Sequence, residues 1–489
     1  MAEAAGLAEA RREFAATPDV SDPAAAASPL AGAKRMTYTT FLDHCPMNGF
    51  LWMLLLGCIV AQILDGFDFQ ATSFALPLII KEFHITPTQA GAIGSVTNLG
   101  LLLGALLFAP IADRVGRRPV FQWALFAYAF GTFLSAIAPS YNVLLAARFV
   151  AGMGIAAEFP VAFSLLAEYS PRRLRHIFLG GGAIGYSFGW FVCAVVATLI
   201  VPKFGWRALF WVGVSPALMI VYVRRFMPES VRFLLQQGRV EEAGRIVRRL
   251  ADRAGYATLE LVPPEAAEHA KAPRRMGLRK QFSVLRFSAM AIAVLGLFQL
   301  ANNIQVVGFG TWLPSIFVRQ GFTLTRSFTF TMIVLATTPI GQIFGMWLQE
   351  RMPRKWAMLL LSGLSALCFF GFGLSFEYKA PVEIIVAFDV GYQFFSGGVV
   401  PIFYTLSTEL FPTRVRSLAM GLVVACARLG SITGPFVLGW LLMLGTMIHQ
   451  IIYYFTLPLV MAALILVVAV KVDSRQKTLE EASGEQQTE

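Results

Sequence analysis

Ala112-Asp-Arg-Val-Gly-Arg-Arg-Pro119 is a short turn with an acid near its head and three arginines behind it, set between apolar runs at 88–110 and 120–138. Glu350-Arg-Met-Pro-Arg-Lys355 repeats its order, acid-Arg-x-x-Arg-basic, 237 residues later. A second pair recurs at nearly the same distance: Glu168-x-x-Pro171-x-Arg173-x-Arg175 and Glu409-x-x-Pro412-x-Arg414-x-Arg416, 241 residues apart. Two motifs recurring at almost one offset mean that the chain is a duplication of two homologous halves.

Around these motifs the chain is too apolar for a water-soluble fold. Its 489 residues are 56% hydrophobic and 14% charged, with a mean hydropathy of +0.64. About 20 apolar residues cross a ~30 Å hydrocarbon core as a helix. Runs of that length lie at 50–73, 88–110, 120–138, 143–166, 177–201, 206–226, 286–310, 327–348, 356–375, 382–406, 417–443 and 448–470. They predict an all-α polytopic membrane protein with 12 transmembrane helices in two pseudo-symmetric six-helix halves, 50–226 and 285–470. A tail of 1–49, a linker of 227–284 with an amphipathic helix over about 229–254, and a tail of 471–489 complete the chain.

Lys and Arg set the expected orientation. Both tails and alternate loops place 32 of them on one side, against Lys81, Lys203, Arg207, Arg319, Arg326 and Lys379 on the other. Under the positive-inside rule the termini and linker are cytoplasmic, in the inner membrane of a bacterium. The same bias accounts for the net charge of +11 without a nucleic-acid partner. Five cysteines with no paired or metal-like spacing predict neither disulfide nor metal, and no segment carries a nucleotide loop or nucleophile-base pair, so no cofactor and no enzyme are expected.

Charges inside spans are costly and indicate function by default. Asp65 and Asp68 lie three residues apart in the first span, on one helix face with Gln62, and are expected to carry the proton, a structural polar contact between helices being the alternative. Glu158 stands mid-depth in the fourth span, beside Pro160, and is a candidate substrate contact. In the seventh, Gln299, Asn302, Asn303 and Gln305 form an amide cluster suited to substrate. Asp389 and Tyr392 lie in the tenth. Arg428 lies near mid-depth of the eleventh and needs a carboxylate, either that of Asp389 or one brought by substrate. Phe67, Phe69, Phe395 and Tyr404 are candidates, with Tyr392, to stack a ring. Near the linker side, Asp113, Arg114, Arg117, Arg118, Glu168, Arg175, Glu350, Arg351, Glu409 and Arg416 are expected to form a charge network that breaks when helices separate. Glycines at 181, 185 and 189, and at 430, 434 and 439, are expected to let helices approach closely.

The turn at 112–119, the segment Pro228-Glu-Ser-Val-Arg-Phe-Leu-Leu235 and the segment Thr408-Glu-Leu-Phe-Pro-Thr-Arg-Val-Arg416 resemble three boxes of the major facilitator superfamily, over about residues 45–470. One departure is Ala109, where the superfamily's turn usually begins with Gly. Asp65-Gly-Phe-Asp68 and Trp312-Leu-Pro314 resemble the aromatic-acid and metabolite:proton symporters. That resemblance implies that Asp68 and Arg148, whose depths match, take part in proton coupling; a static ion pair tethering two helices remains the alternative. The expected activity is proton-coupled import of a small organic anion, an aromatic carboxylate above all, by a monomer in the bilayer. A sugar, nicotinate-type or organic-cation porter, and a membrane sensor that transports nothing, are the alternatives.

Overall fold

The computed structural model describes residues 35–256, 258–263, 278–411 and 416–469. Two short elements, β1 (Arg35–Thr37) and α1 (Tyr38–His44), precede the first long helix, α2 (Gly49–Phe83). Then follow α3 (Pro87–Val115), α4 (Arg117–Ala136), α5 (Tyr141–Tyr169), α6 (Arg175–Phe204), α7 (Trp206–Gly213) and α8 (Pro216–Phe226). The linker holds α9 (Val231–Gln236), α10 (Val240–Arg253) and β2 (Glu260–Val262). The second half is α11 (Leu278–Arg319), α12 (Leu324–Arg351), α13 (Arg354–Glu377), α14 (Val382–Leu410), α15 (Arg416–Met443) and α16 (Ile448–Ala469).

Among the described residues, eleven segments are long and apolar enough to cross a membrane, α7 and α8 counting as one over Trp206–Phe226. The remaining crossing is α4, whose 20 residues span about 30 Å along α5. The halves repeat one packing scheme: α2 on α6, α3 on α5 and α4 on α5 in the first; α11 on α15, α12 on α14 and α13 on α14 in the second.

Helix starts are fixed by side chains. Thr86 and Gln89 form a capping box at α3, and Asn48 and Thr323 accept from the first turns of α2 and α12. The α2–α6 contact depends on missing side chains, for a Cβ on Gly66 would stand 2.0 Å from the Tyr186 carbonyl oxygen and one on Gly189 2.2 Å from that of Ile63.

Contacts between the halves gather on the face opposite the linker. Ser73 donates to the Gly310 carbonyl at 2.7 Å, the rings of Phe74 and Phe328 meet edge-on at 5.0 Å, and the backbone of α3 at Gly91 lies against Pro435 of α15. Nearer mid-depth, Gln342 donates to Ser187 at 2.7 Å.

The linker departs from the expected single helix over 229–254. It breaks at Gly238, whose φ of +73 favours a residue without Cβ, into α9 and α10. The tail does not end where the first span begins, either. β1 pairs in parallel with β2, Arg35 opposite Glu260, and Tyr38, Phe41 and Leu42 of α1 are buried in one apolar cluster with Val247 and Leu250 of α10. Residues 35–44 thus belong to a cap with the linker; 1–34 of the expected 1–49 tail, and the expected tail of 471–489, lie outside the described residues.

Candidate functional site

Asp68 and Arg148 pair inside the first half. Both side chains are 0% exposed, and the guanidinium grips the carboxylate at 2.6 Å from one nitrogen and 3.2 Å from the other. Thr132 of α4 donates to the same carboxylate at 2.9 Å, and the Arg148 guanidinium lies over the Phe210 ring of α7 at 5.2 Å. One ion pair therefore ties α2, α4, α5 and α7 together.

Asp65, one turn nearer the linker on α2, has no cation. Its carboxyl lies near that of Glu158 from α5, close enough for the two charges to act on each other, and none of the four oxygens has a hydrogen-bond partner among the described residues. Two acceptors facing each other can be joined only across a shared proton. Glu158, expected as a substrate contact, thus stands beside Asp65. Gln62, one turn further along α2, is 0% exposed with both ends of its amide unpartnered.

Arg428 lies 12 residues, roughly 18 Å, along α15. Among the described residues it has no ion pair or hydrogen bond, and its charge acts on the hydroxyls of Tyr186 and Tyr404. It does not reach Asp389. Asp389 stands seven residues from the far end of α14, whereas Arg428 stands 15 from that of α15, a difference of about 12 Å in depth. Asp389 is 1% exposed with both oxygens unpartnered. By the offsets of the duplication it occupies the place of Arg148, and Gln305, also buried and unpartnered, that of Asp68.

The amides of α11 separate. Asn303 is consumed by packing, donating to the Gln299 carbonyl at 2.9 Å and accepting from Ser431 at 3.1 Å. Asn302 is half-buried, Gln299 is nearly buried, and Gln305 turns to another face. Tyr392 is core: it is 2% exposed, with its ring 4.6 Å from that of Phe369. Phe69 joins a cluster the sequence reading missed, with Tyr186 at 6.1 Å and Trp190 stacked at 6.1 Å. The signal was present, since Tyr186 and Trp190 each follow a glycine of the ladder and so lie on the face next to the α2 contact.

Of the residues expected in a charge network, Glu168 and Glu409 each hold an arginine at matching places in the two halves. Arg117 meets Glu168 at 3.3 Å, and at the equivalent positions Arg354 meets Glu409 at 3.0 Å. Arg354 thus replaces the expected Arg351, which stacks on Trp347. Each described pair joins two helices of one half, Arg117 of α4 to Glu168 of α5 and Arg354 of α13 to Glu409 of α14. Glu168 also accepts from Ser230 at 2.5 Å and from the Arg232 amide at 2.7 Å. Glu229 caps α4, accepting from the amides of Arg117 and Arg118. Arg118 donates to the Arg224 carbonyl, Arg175 pairs with Asp43 at 2.5 Å, and Arg416 donates to the Phe411 carbonyl. Arg114 and Glu350 are exposed, and the side chain of Asp113 lies outside the described residues.

The profile of the sugar (and other) transporter family matches residues 53–485. The chain belongs to that family. It is therefore a multi-pass transporter of the major facilitator superfamily. Among similar proteins, the niacin transporter NiaP of Acinetobacter baylyi is 30% identical over 91% of this chain and 99% of its own. The benzoate transport protein of the same organism is 27% identical over 84% and 88%. The 4-hydroxybenzoate transporter PcaK of Pseudomonas aeruginosa is 27% identical over 88% and 95%. In fold this transporter is similar to the inward-open xylose transporter XylE of Escherichia coli, with a TM-score of 0.72 at 18% identity, covering 89% of this chain and 99% of that one.

Proposed function

We propose that this transporter imports a small aromatic monocarboxylate, of the benzoate or nicotinate class, together with a proton across the bacterial inner membrane, with its linker and termini in the cytoplasm. The observation that carries the reading is Arg428, a guanidinium near mid-depth with no counter-charge from the described residues. A carboxylate is its natural bidentate partner. Phe69, Tyr186, Trp190 and Tyr404 give an aromatic wall for the ring. The names of the three relatives support the same class of cargo.

The proton belongs at Asp65 and Glu158. With one proton shared, the two acids hold α2 against α5; without it, two facing carboxylates in a low dielectric repel. Proton release toward the cytoplasm thus changes the packing of α2 on α5 inside the first half, and with it the surface that this half turns toward the second. Asp68 is the counter-charge of Arg148 and holds the frame in which that change acts.

The test is counterflow in proteoliposomes. Labelled benzoate or nicotinate is expected to exchange against unlabelled aromatic acids, and hexoses or choline should not compete. Exchange of hexose or choline with no exchange of either acid would reject the anion reading.

A further inference from the structure

A cavity of about 470 Å³ opens on the linker face, between the start of α2, the end of α8 and the surface of α10. Its walls carry Arg118, Arg225, Arg245, Arg249 and Arg253 against two acids, Glu229 and Glu242. Both acids are engaged elsewhere: Glu229 caps α4, and Glu242 is held by Arg239 at 2.7 Å. None of the five guanidiniums has an ion pair among the described residues, and the buried Nε of Arg118 has no acceptor. Arginines at 245, 249 and 253 recur every four residues and so stand in one row along α10. Arg118 donates to the Arg224 carbonyl, and Arg225 and Arg253 lie over the rings of Phe226 and Phe50, but these neutral partners cancel no charge, and five like charges round one hollow repel.

The remaining lining is apolar and lies where the hydrocarbon begins. Phe50 and Met53 belong to the first turns of α2, and Phe226, 42% exposed, ends α8. The two helices pack directly, with Tyr222 donating to the Met53 carbonyl. On the same helices Trp52, Leu56 and Val60, and Leu218 and Val221, form exposed apolar stripes. A soluble phosphate needs only the arginines. A lipid uses both parts, its headgroup in the basic hollow and its acyl chains along the stripes.

We propose that this cavity is a binding site for the headgroup of an anionic phospholipid, one with more than a single phosphate charge, and that such a lipid fastens the linker helix α10 to the first and last helices of the N-terminal half. The proposal needs only the membrane embedding of the chain and does not depend on the cargo.

The experiment uses the purified full-length protein in neutral detergent, titrated with cardiolipin, phosphatidylcholine or inorganic pyrophosphate, and read by native mass spectrometry and thermal unfolding. Cardiolipin is expected to bind saturably and raise the midpoint, while phosphatidylcholine does neither. In R245Q/R249Q/R253Q its affinity should fall about 100-fold, taking roughly five-fold for each basic side chain at a headgroup. A control, R172Q/R173Q, removes two exposed arginines on the same face and should leave cardiolipin binding intact. If the triple variant fails to fold, R249Q alone should still weaken binding about five-fold. Equal binding of cardiolipin and phosphatidylcholine, unchanged affinity in the variants, or binding of pyrophosphate without the lipid would each overturn the assignment.

Discussion

Asp68 and Asp65 were equivalent on paper, two acids three residues apart, and the structure makes them opposites: one is saturated by Arg148 and Thr132, the other faces a second acid. Their substitutions should therefore fail differently. Asp68→Asn strands a guanidinium that is 0% exposed, and removing one partner of a buried pair costs about 3–5 kcal/mol. Yield and melting temperature should fall, and Asp68→Asn with Arg148→Gln should restore much of both; a stable single variant would contradict the buried pairing. Arg428 poses a separate question, because its depth keeps it from Asp389. Arg428→Lys retains charge but loses the planar fork, so anion affinity should drop by the ~1.5–3 kcal/mol of a charge-assisted hydrogen bond, with little change in melting temperature. Adding Asp389→Asn should not rescue it, and rescue in a binding titration would mean that Asp389 and Arg428 interact after all. Arg428 was legible as needing an anion, and the runs 382–406 and 417–443 already set it about eight residues deeper than Asp389; the two stayed open as partners because a long side chain can cover part of such an offset, and only the packed helices show that it does not.

At the scale of helices, the glycine ladder was read correctly as a packing surface, yet its members are unequal. Gly189 has the Ile63 carbonyl 2.2 Å from where its Cβ would be, while Gly181 has nothing nearer than an Ile63-side neighbour, the Ile59 side chain, at 3.5 Å. Gly189→Ala should destabilise by about 1–3 kcal/mol as overpacking does, and Gly181→Ala should be silent. Thermal unfolding of the two variants side by side checks this; equal midpoints would mean that α2 and α6 do not meet as described. The linker break at Gly238 and the pairing of β1 with β2 escaped the sequence reading for a physical reason. A three-residue strand has too few residues for a period, and its partner lies more than 200 residues away. The Arg354–Glu409 pair was similarly hidden by choosing Arg351, although the offset of 237 from Arg117 points to Arg354.

For the whole molecule, the duplicated motifs and twelve apolar runs were enough to read the architecture, because hydrocarbon forces each span to be a helix of nearly fixed length. The state of the halves was not legible, since it depends on contacts between residues with no shared pattern. Those contacts lie on the far face, where Gly91 and Gly439 bring α3 and α15 together; a Cβ on Gly91 would meet the Pro435 carbonyl oxygen at 2.3 Å. Gly91→Val should wedge that face apart, and spin labels on the far ends of α3 and α15 should show a longer distance in the variant than in the parent. An unchanged distance would show that the seal lies elsewhere. The central claim is that a proton shared by Asp65 and Glu158 drives an anion held at Arg428. The direct test follows labelled benzoate or nicotinate and internal pH together in proteoliposomes under an inward proton gradient, for the parent and for Asp65→Asn with Glu158→Gln. The parent should accumulate the acid above equilibrium with matching acidification, and the double variant should exchange the acid without accumulating it. Gradient-driven accumulation that survives in the double variant would contradict the account.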